Sequence, residues 1–338
     1  MPRTIHRFTQ TIVTKCRPIT PCRYVMSRVV GKIDGVNVML RRIAAAGSAI
    51  LLLFATGCGS DSNDAKKQNS ATVNLEATVV TVTNPGEQPQ SKLTYDLSDS
   101  DQHGTMDVTQ GFGQETNADK VPDVTSTTMT LPYTAKRDTI TLGKPTGSND
   151  KLNSDIATAQ GFTLKTSNSP SGIKSEATFT APEKATETAR ASIERALTQY
   201  LSTPVVFPTD PVGIGAQWDV RIKVNEPSPA VKTITYTLKN HEGNTVELEA
   251  SVQQRPSTTS LSLSEAPDVP SDTKGSLDVK DSSTSTHVGT VTVDLTKPIP
   301  VKGSIDTTTI TTYAGDTSGQ SDDKSPAPEK NSTAGGTS

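Results

Sequence analysis

The sequence predicts a mainly β protein of α+β type, a curved antiparallel sheet or half-barrel with one packed helix. Three observations predict it. Short runs of β-branched and aromatic residues recur between turn residues from about position 72 to 315. One stretch alone, 181–202, repeats apolar residues at helical spacing. And the chain is lean, 32% hydrophobic and 4% aromatic, where globular chains average ~45–50% apolar with glycine counted. That composition suits one or two modest cores, yet is too apolar for a wholly disordered chain.

Taken in order, ATVNLEATVVTVTNPG (71–86) is a strand region that closes on the turn Asn84-Pro85-Gly86. KLTYDL (92–97), TMDVTQ (105–110), STTMTLPYT (126–134), DTITLG (138–143) and SEATFT (175–180) read as further strands. The first two are expected to form a hairpin with His103 at its tip. In TITYTLKNHEGNTVELEASV (233–252), Ile234, Tyr236 and Leu238 alternate, as do Val246 and Leu248. This predicts a hairpin with a loop of about five residues, 240–244. THVGTVTVDL (286–295) and SIDTTTITTY (304–313), joined by TKPIPVKG, complete the set. The stretches 121–128, 146–161 and 257–275 read as loops. The two hairpins resemble each other, which hints at two similar halves around the helix.

The helix is expected over 181–202. Thr180-Ala181-Pro182-Glu183 has the form of a capping box with proline in the first turn. Ala185, Ala189, Ile193, Ala196, Leu197, Tyr200 and Leu201 form its apolar stripe, and Arg190 pairs with Glu194 on the outer side. Pro204 ends it. A core-facing helix is the simplest use of that stripe. The glycines of Gly213-Ile214-Gly215 turn the chain and deliver Trp218, the single tryptophan, into a core.

Upstream, Arg41 and Arg42 precede a 13-residue apolar run, 43–55, that stops at Thr56-Gly57-Cys58. A basic segment, a short apolar run and small residues describe a secretory signal, too short for a spanning helix. Ala55-Thr56-Gly57-Cys58 resembles a bacterial lipobox. That resemblance implies cleavage before Cys58 and acyl chains on its thiol. About 0.8 kcal/mol per buried CH₂ makes two or more chains a stable anchor. The organisation expected is therefore a start-site artefact over 1–38, a signal peptide over 39–57, a flexible tether over 58–71, a β-rich domain over 72–315 and a disordered Ser/Thr/Gly/Pro tail over 316–338.

Charge and cysteine counts narrow the partners. Residues 1–57 hold nine of the 33 Lys and Arg and one of the 36 Asp and Glu, which leaves 24 against 35, a net −11, from Cys58 onward. A nucleic-acid binder needs a basic face, so no nucleic-acid partner is expected. Attachment to the membrane is expected through the acyl chains on Cys58. With Cys58 the only cysteine left, no intramolecular disulfide and no cysteine-based zinc site follow. The protein is read as a monomer without a cofactor.

One metal candidate stands out. In DSDQHGTMDVTQ (99–110), Asp99, Asp101 and Asp107 with Gly104 match positions 1, 3, 9 and 6 of an EF-hand calcium loop. Gln110 stands where that loop needs a bidentate glutamate. His103 and His241 fall at predicted hairpin tips and His287 in a strand, with no pair at metal spacing. No nucleophile motif occurs, so no enzymatic activity is expected; a hydrolase would need a cleft with a perturbed carboxylate or serine pair.

The lipobox at Cys58, FPTDPVGIGAQW (207–218) after a helix, and GTVTVDLTKPIPVKG (289–303) together resemble a family of uncharacterised secreted lipoproteins of high-GC Gram-positive bacteria, an actinobacterial type. The resemblance implies an envelope location and a β-rich domain; no catalytic residue carries over. The function expected is non-catalytic binding of a ligand or envelope partner by a lipid-anchored protein on the outer face of the cytoplasmic membrane. The alternative is a lipid or glycolipid carrier, with a cavity between sheet and helix lined by Ile193, Leu197 and Leu201.

Overall fold

The computed structural model describes residues 4–15, 28–31, 69–115, 124–224, 229–262 and 276–315, the first two segments by backbone path alone. Cys58, most of the tether and the tail 316–338 lie outside the described residues. In chain order the strands begin with β1 (Thr4–Lys15), β2 (Arg28–Gly31), β3 (Ser70–Asn74), β4 (Val79–Asn84), β5 (Gln102–Glu115), β6 (Thr125–Lys136), β7 (Thr139–Leu142) and β8 (Thr146–Gly147). A short helix, α1 (Asn153–Ile156), flanked by single 3-10 turns, leads to β9 (Thr163–Asn168) and β10 (Lys174–Thr180). After α2 (Glu187–Leu201) come β11 (Gln217–Val224), β12 (Ala230–Glu242), β13 (Thr245–Pro256), β14 (Ser260–Ser262), β15 (Ser276–Asp294) and β16 (Lys302–Gly315).

The protein is mainly β, with two antiparallel sheets that do not close into a barrel. The first runs β3-β10-β9-β7-β6-β5 and the second β16-β15-β13-β12-β11-β4. Each is a meander whose far edge is covered by an early strand, β3 on β10 and β4 on β11. β1 lies antiparallel to both β5 and β16, between the two sheets. It belongs to the segment read as preceding the start site.

Alternation in the sequence becomes alternation in burial. β13 buries every second residue from Val246 to Gln254, and β12 does the same from Ala230 to Leu238, as a sheet with one face on a core requires. Two cores result. Met106, Leu131, Phe162, Leu164 and Phe179 pack under α2, which contributes Ala189, Ile193, Ala196, Leu197 and Tyr200. Trp218, Tyr236, Phe207, Leu248 and Val293 build the second. Trp218 is fully buried, as its glycine turn predicts, and its indole N–H donates to the Val206 carbonyl at 2.8 Å. Gly213 approaches so closely that a Cβ there would meet the Glu87 carbonyl oxygen at 1.7 Å.

Long-range pairing overrides several local signals. The 71–86 run divides into β3 and β4, which join opposite sheets. The first expected hairpin does not form: the chain before β5 joins no strand ladder, and its amides bond across the molecule, Tyr95 to Pro170 and Asp96 to Leu295. His103 thus sits within β5, its Nδ1 3.0 Å from the Thr134 hydroxyl. The likeness of the two hairpin sequences is not a likeness of structure. β12 and β13 turn through Gly243 and Asn244 alone, because a bulge near Lys239 absorbs the extra residue. α2 starts six residues later than the capping box implies. Thr180 is paired to Ser70, and the Ala181 amide bonds Asn69 beyond it. Thr186 caps instead, accepting from the Ala189 amide at 3.1 Å. The 146–161 stretch contains β8 and α1, and β14 interrupts 257–275. The Arg190–Glu194 pair forms as expected, at 2.8 Å.

The two halves interlock. The loop between β15 and β16, which belongs to the second sheet, sends Ile299 into the first core, where it is fully buried. The Gln102 amide grips its backbone from both sides, donating to the Ile299 carbonyl at 2.8 Å and accepting from the Ile299 N–H at 3.1 Å. Gln102→Met keeps the volume but leaves both backbone groups unpaired. At roughly 1–3 kcal/mol for each orphaned group, urea denaturation is expected to show a loss of about 2–6 kcal/mol. An unchanged midpoint would mean that the interlock contributes nothing.

Candidate functional site

The sheets meet along a seam formed by the segment after α2. Tyr236 donates its hydroxyl to Pro204 at 3.0 Å, and the Phe207 amide bonds Ser171 at 2.9 Å. Rings tile the seam: Tyr95 on Phe207 at 5.3 Å between centroids, Phe207 on Trp218 at 6.2 Å, Trp218 on Tyr236 at 5.9 Å. Gly172, at φ +92°, lets the chain pass: a Cβ would meet the Val205 carbonyl at 2.7 Å and the Tyr95 ring at 2.8 Å.

Two adjoining hollows of about 20 Å³ each open beside these rings. Each has room for about one water molecule. Both are lined by Tyr95, Lys174 and Pro298; Tyr200, Pro204 and Pro300 wall one, Asn168 and Ser169 the other. Lys174 is the first residue of β10 and is half-buried. Burial alone pushes its amine down to about 8. Burial also pushes the Tyr95 phenol well above its usual range, with smaller contributions from Tyr200 and Tyr236. Tyr95 therefore stays a hydrogen-bond donor, and Lys174 is still mostly charged at neutral pH. Among the described residues, neither the ammonium nor that hydroxyl has a hydrogen-bonding or ionic partner.

A second amine lies deeper. Lys232, on β12, is 1% exposed and donates to the Ser202 hydroxyl at 2.9 Å, at the C-terminal end of α2. The helix terminus favours a cation there, but burial dominates and brings the amine down to about 7.

The residues singled out from sequence behave differently. Ile193 and Leu197 are fully buried in the packed first core. Leu201 is half-buried and walls one of the small hollows. Ile193 and Leu197 pack among the first-core residues beneath α2, and of the three only Leu201 lines one of these hollows. The calcium loop is not assembled. Asp107 lies six residues beyond Asp101 on an extended strand, about 20 Å away. Asp99 is held by Arg137, at 2.6 and 3.2 Å, whose hydrogen bonds keep its carboxyl below the usual range. Asp107 is buried and accepts from the Thr130 hydroxyl at 2.6 Å. The described residues contain no group of three His, Cys, Asp or Glu placed to hold a metal. Lys174, Tyr95 and Lys232 carry no sequence motif. The one textual signal at the seam is the proline-flanked Ile299, within the distinctive 289–303 segment.

Residues 172–299 match the model of a family of unknown function (DUF6263). The matched stretch begins and ends at the seam, since Gly172 and Pro298 line the same hollow. No curated protein and no solved structure matches the chain.

Lys232 makes the stability pH-dependent. Its folded value near 7 lies below the unfolded value of about 10.4. Between those values the unfolded chain holds a proton that the folded chain lacks, so stability rises with pH. Lys232→Met is expected to be more stable than the wild type at pH 7.5. Its advantage should shrink by about 1.4 kcal/mol per pH unit towards pH 9.5. Urea titrations of both proteins at the two pH values check this, and a constant difference would contradict it.

Proposed function

We propose that the chain is a lipid-anchored protein of the bacterial cell envelope that binds a ligand or partner without catalysing a reaction. Two stretches of the chain support this reading. The lipobox-like Ala55-Thr56-Gly57-Cys58 supplies the anchor. The seam supplies the binding site, and the observation that carries the reading is the pair of unpaired donors, Lys174 and Tyr95, on hollows at the junction of two filled cores. A buried or half-buried ammonium without a counter-ion is unfavourable. A fold that keeps one at the surface of its central junction presents a site ready for a complementary group. Binding there needs no carrier cavity, in keeping with the close packing of Ile193 and Leu197.

The anchor is tested in a bacterial host that processes lipoproteins. The wild-type chain is expected to incorporate labelled palmitate and to sediment with membranes, and Cys58→Ala to do neither. A wild type that takes up no label, or a Cys58→Ala variant that sediments and labels equally, would overturn the anchored reading.

A further inference from the structure

The chemistry of the seam narrows the ligand class. We propose that the seam is a receptor for a single carboxylate, bridged by the Lys174 ammonium and the Tyr95 hydroxyl. This deepens the binding reading above and rests on it.

Four observations converge. Both groups are donors, and both line the same two hollows. Both are unpaired among the described residues. The site is small, because each hollow takes about one oxygen-sized group. A planar carboxylate, with two oxygens, suits two adjoining hollows better than a bulky tetrahedral anion. The walls are Pro204, Pro298, Pro300 and the Tyr200 ring. These groups offer few competing donors and shield the ion pair from water, which strengthens it.

The fourth observation is one of charge. From Cys58 onward the chain carries 35 acidic side chains against 24 basic, so carboxylates outnumber amines and guanidinium groups along the chain. Yet burial is the sole cause of the shift at Lys174, so no described carboxylate stands close enough to act on it. Lys232 differs, being sealed and bonded to Ser202; it is a structural amine. The carboxylate comes either from a small free acid or from an aspartate or glutamate side chain of a protein partner.

The test is trace propionylation of the purified full chain at pH 7.5, read lysine by lysine from peptide masses. Labelling is repeated with increasing acetate, with the blocked tripeptide N-acetyl-Gly-Asp-Gly-amide, and with chloride at matched ionic strength. Saturable protection of Lys174, with the other lysines unchanged, is the expected result. Protection by acetate and peptide alike points to a small acid as sufficient, and protection by the peptide alone points to a protein partner. Tyr95→Phe keeps the ring and should raise the half-protecting concentration about tenfold, the effect of losing one hydrogen bond to a charged group. Lys174 labelling that neither acid slows, or that chloride slows equally, overturns the proposal. The assay reads the site independently of palmitate incorporation at Cys58, so failure of one leaves the other standing.

Discussion

The two-sided grip of Gln102 on the Ile299 backbone is the constraint on which the arrangement depends. Ile299 is contributed by the loop of one sheet and is buried in the core of the other. A loop that enters a foreign core carries its N–H and C=O with it, and each must be paired. A single glutamine side chain holds one donor and one acceptor at the right spacing and satisfies both. Once Ile299 is seated, the halves cannot separate without exposing a large apolar side chain and two polar groups together. The two cores are thereby joined through paired backbone groups as well as apolar contact.

The lean composition is accommodated in a second way. Beyond the two cores, β15 and β16 continue as a long ribbon whose inward positions are hydroxyls. Thr284 meets Thr309 at 2.9 Å and Ser282 meets Thr311 at 3.1 Å. Thr284 and Thr286 reach back to accept from the Gln254 and Val252 amides of β13. These hydroxyls replace apolar contact with paired polar contact, as at the buried Thr309. Threonine also suits extended backbone by its branching. A chain with few large apolar residues can thus still make long ordered strands.

The placement of the first core relative to an anchor follows from covalent length. Asn69, whose carbonyl accepts from the Ala181 amide at the edge of the first sheet, lies eleven chain steps beyond Cys58. Fully extended, they span at most about 40 Å. On the anchored reading, the edge strand β3 is held within that distance of Cys58, and β10, its neighbour in the sheet, carries Lys174 at the seam.

Much of the local structure was legible in the sequence. Alternation in 233–252 and the β-branched runs announced the strands, because a half-buried strand needs that period wherever it lies. The turn at Asn84-Pro85-Gly86 was legible because glycine adopts φ +77° there without strain. The stripe of α2 and the burial of Trp218 were legible for the same local reasons. The tertiary structure decided the rest. It moved the helix start to Thr186, since ladder hydrogen bonds at Thr180 and Ala181 outweigh a capping box. It assigned β3 and β4 to different sheets, and it placed Asp107 on β5, away from Asp99 and Asp101, which precede the strand. It also made Lys174 and Tyr95 a site. Their neighbours, from Tyr95 to Pro300, lie about 200 residues apart in the chain. Whether a lysine is solvated or half-buried without a counter-ion depends on what packs against it, and no pattern within a few residues of Lys174 records that.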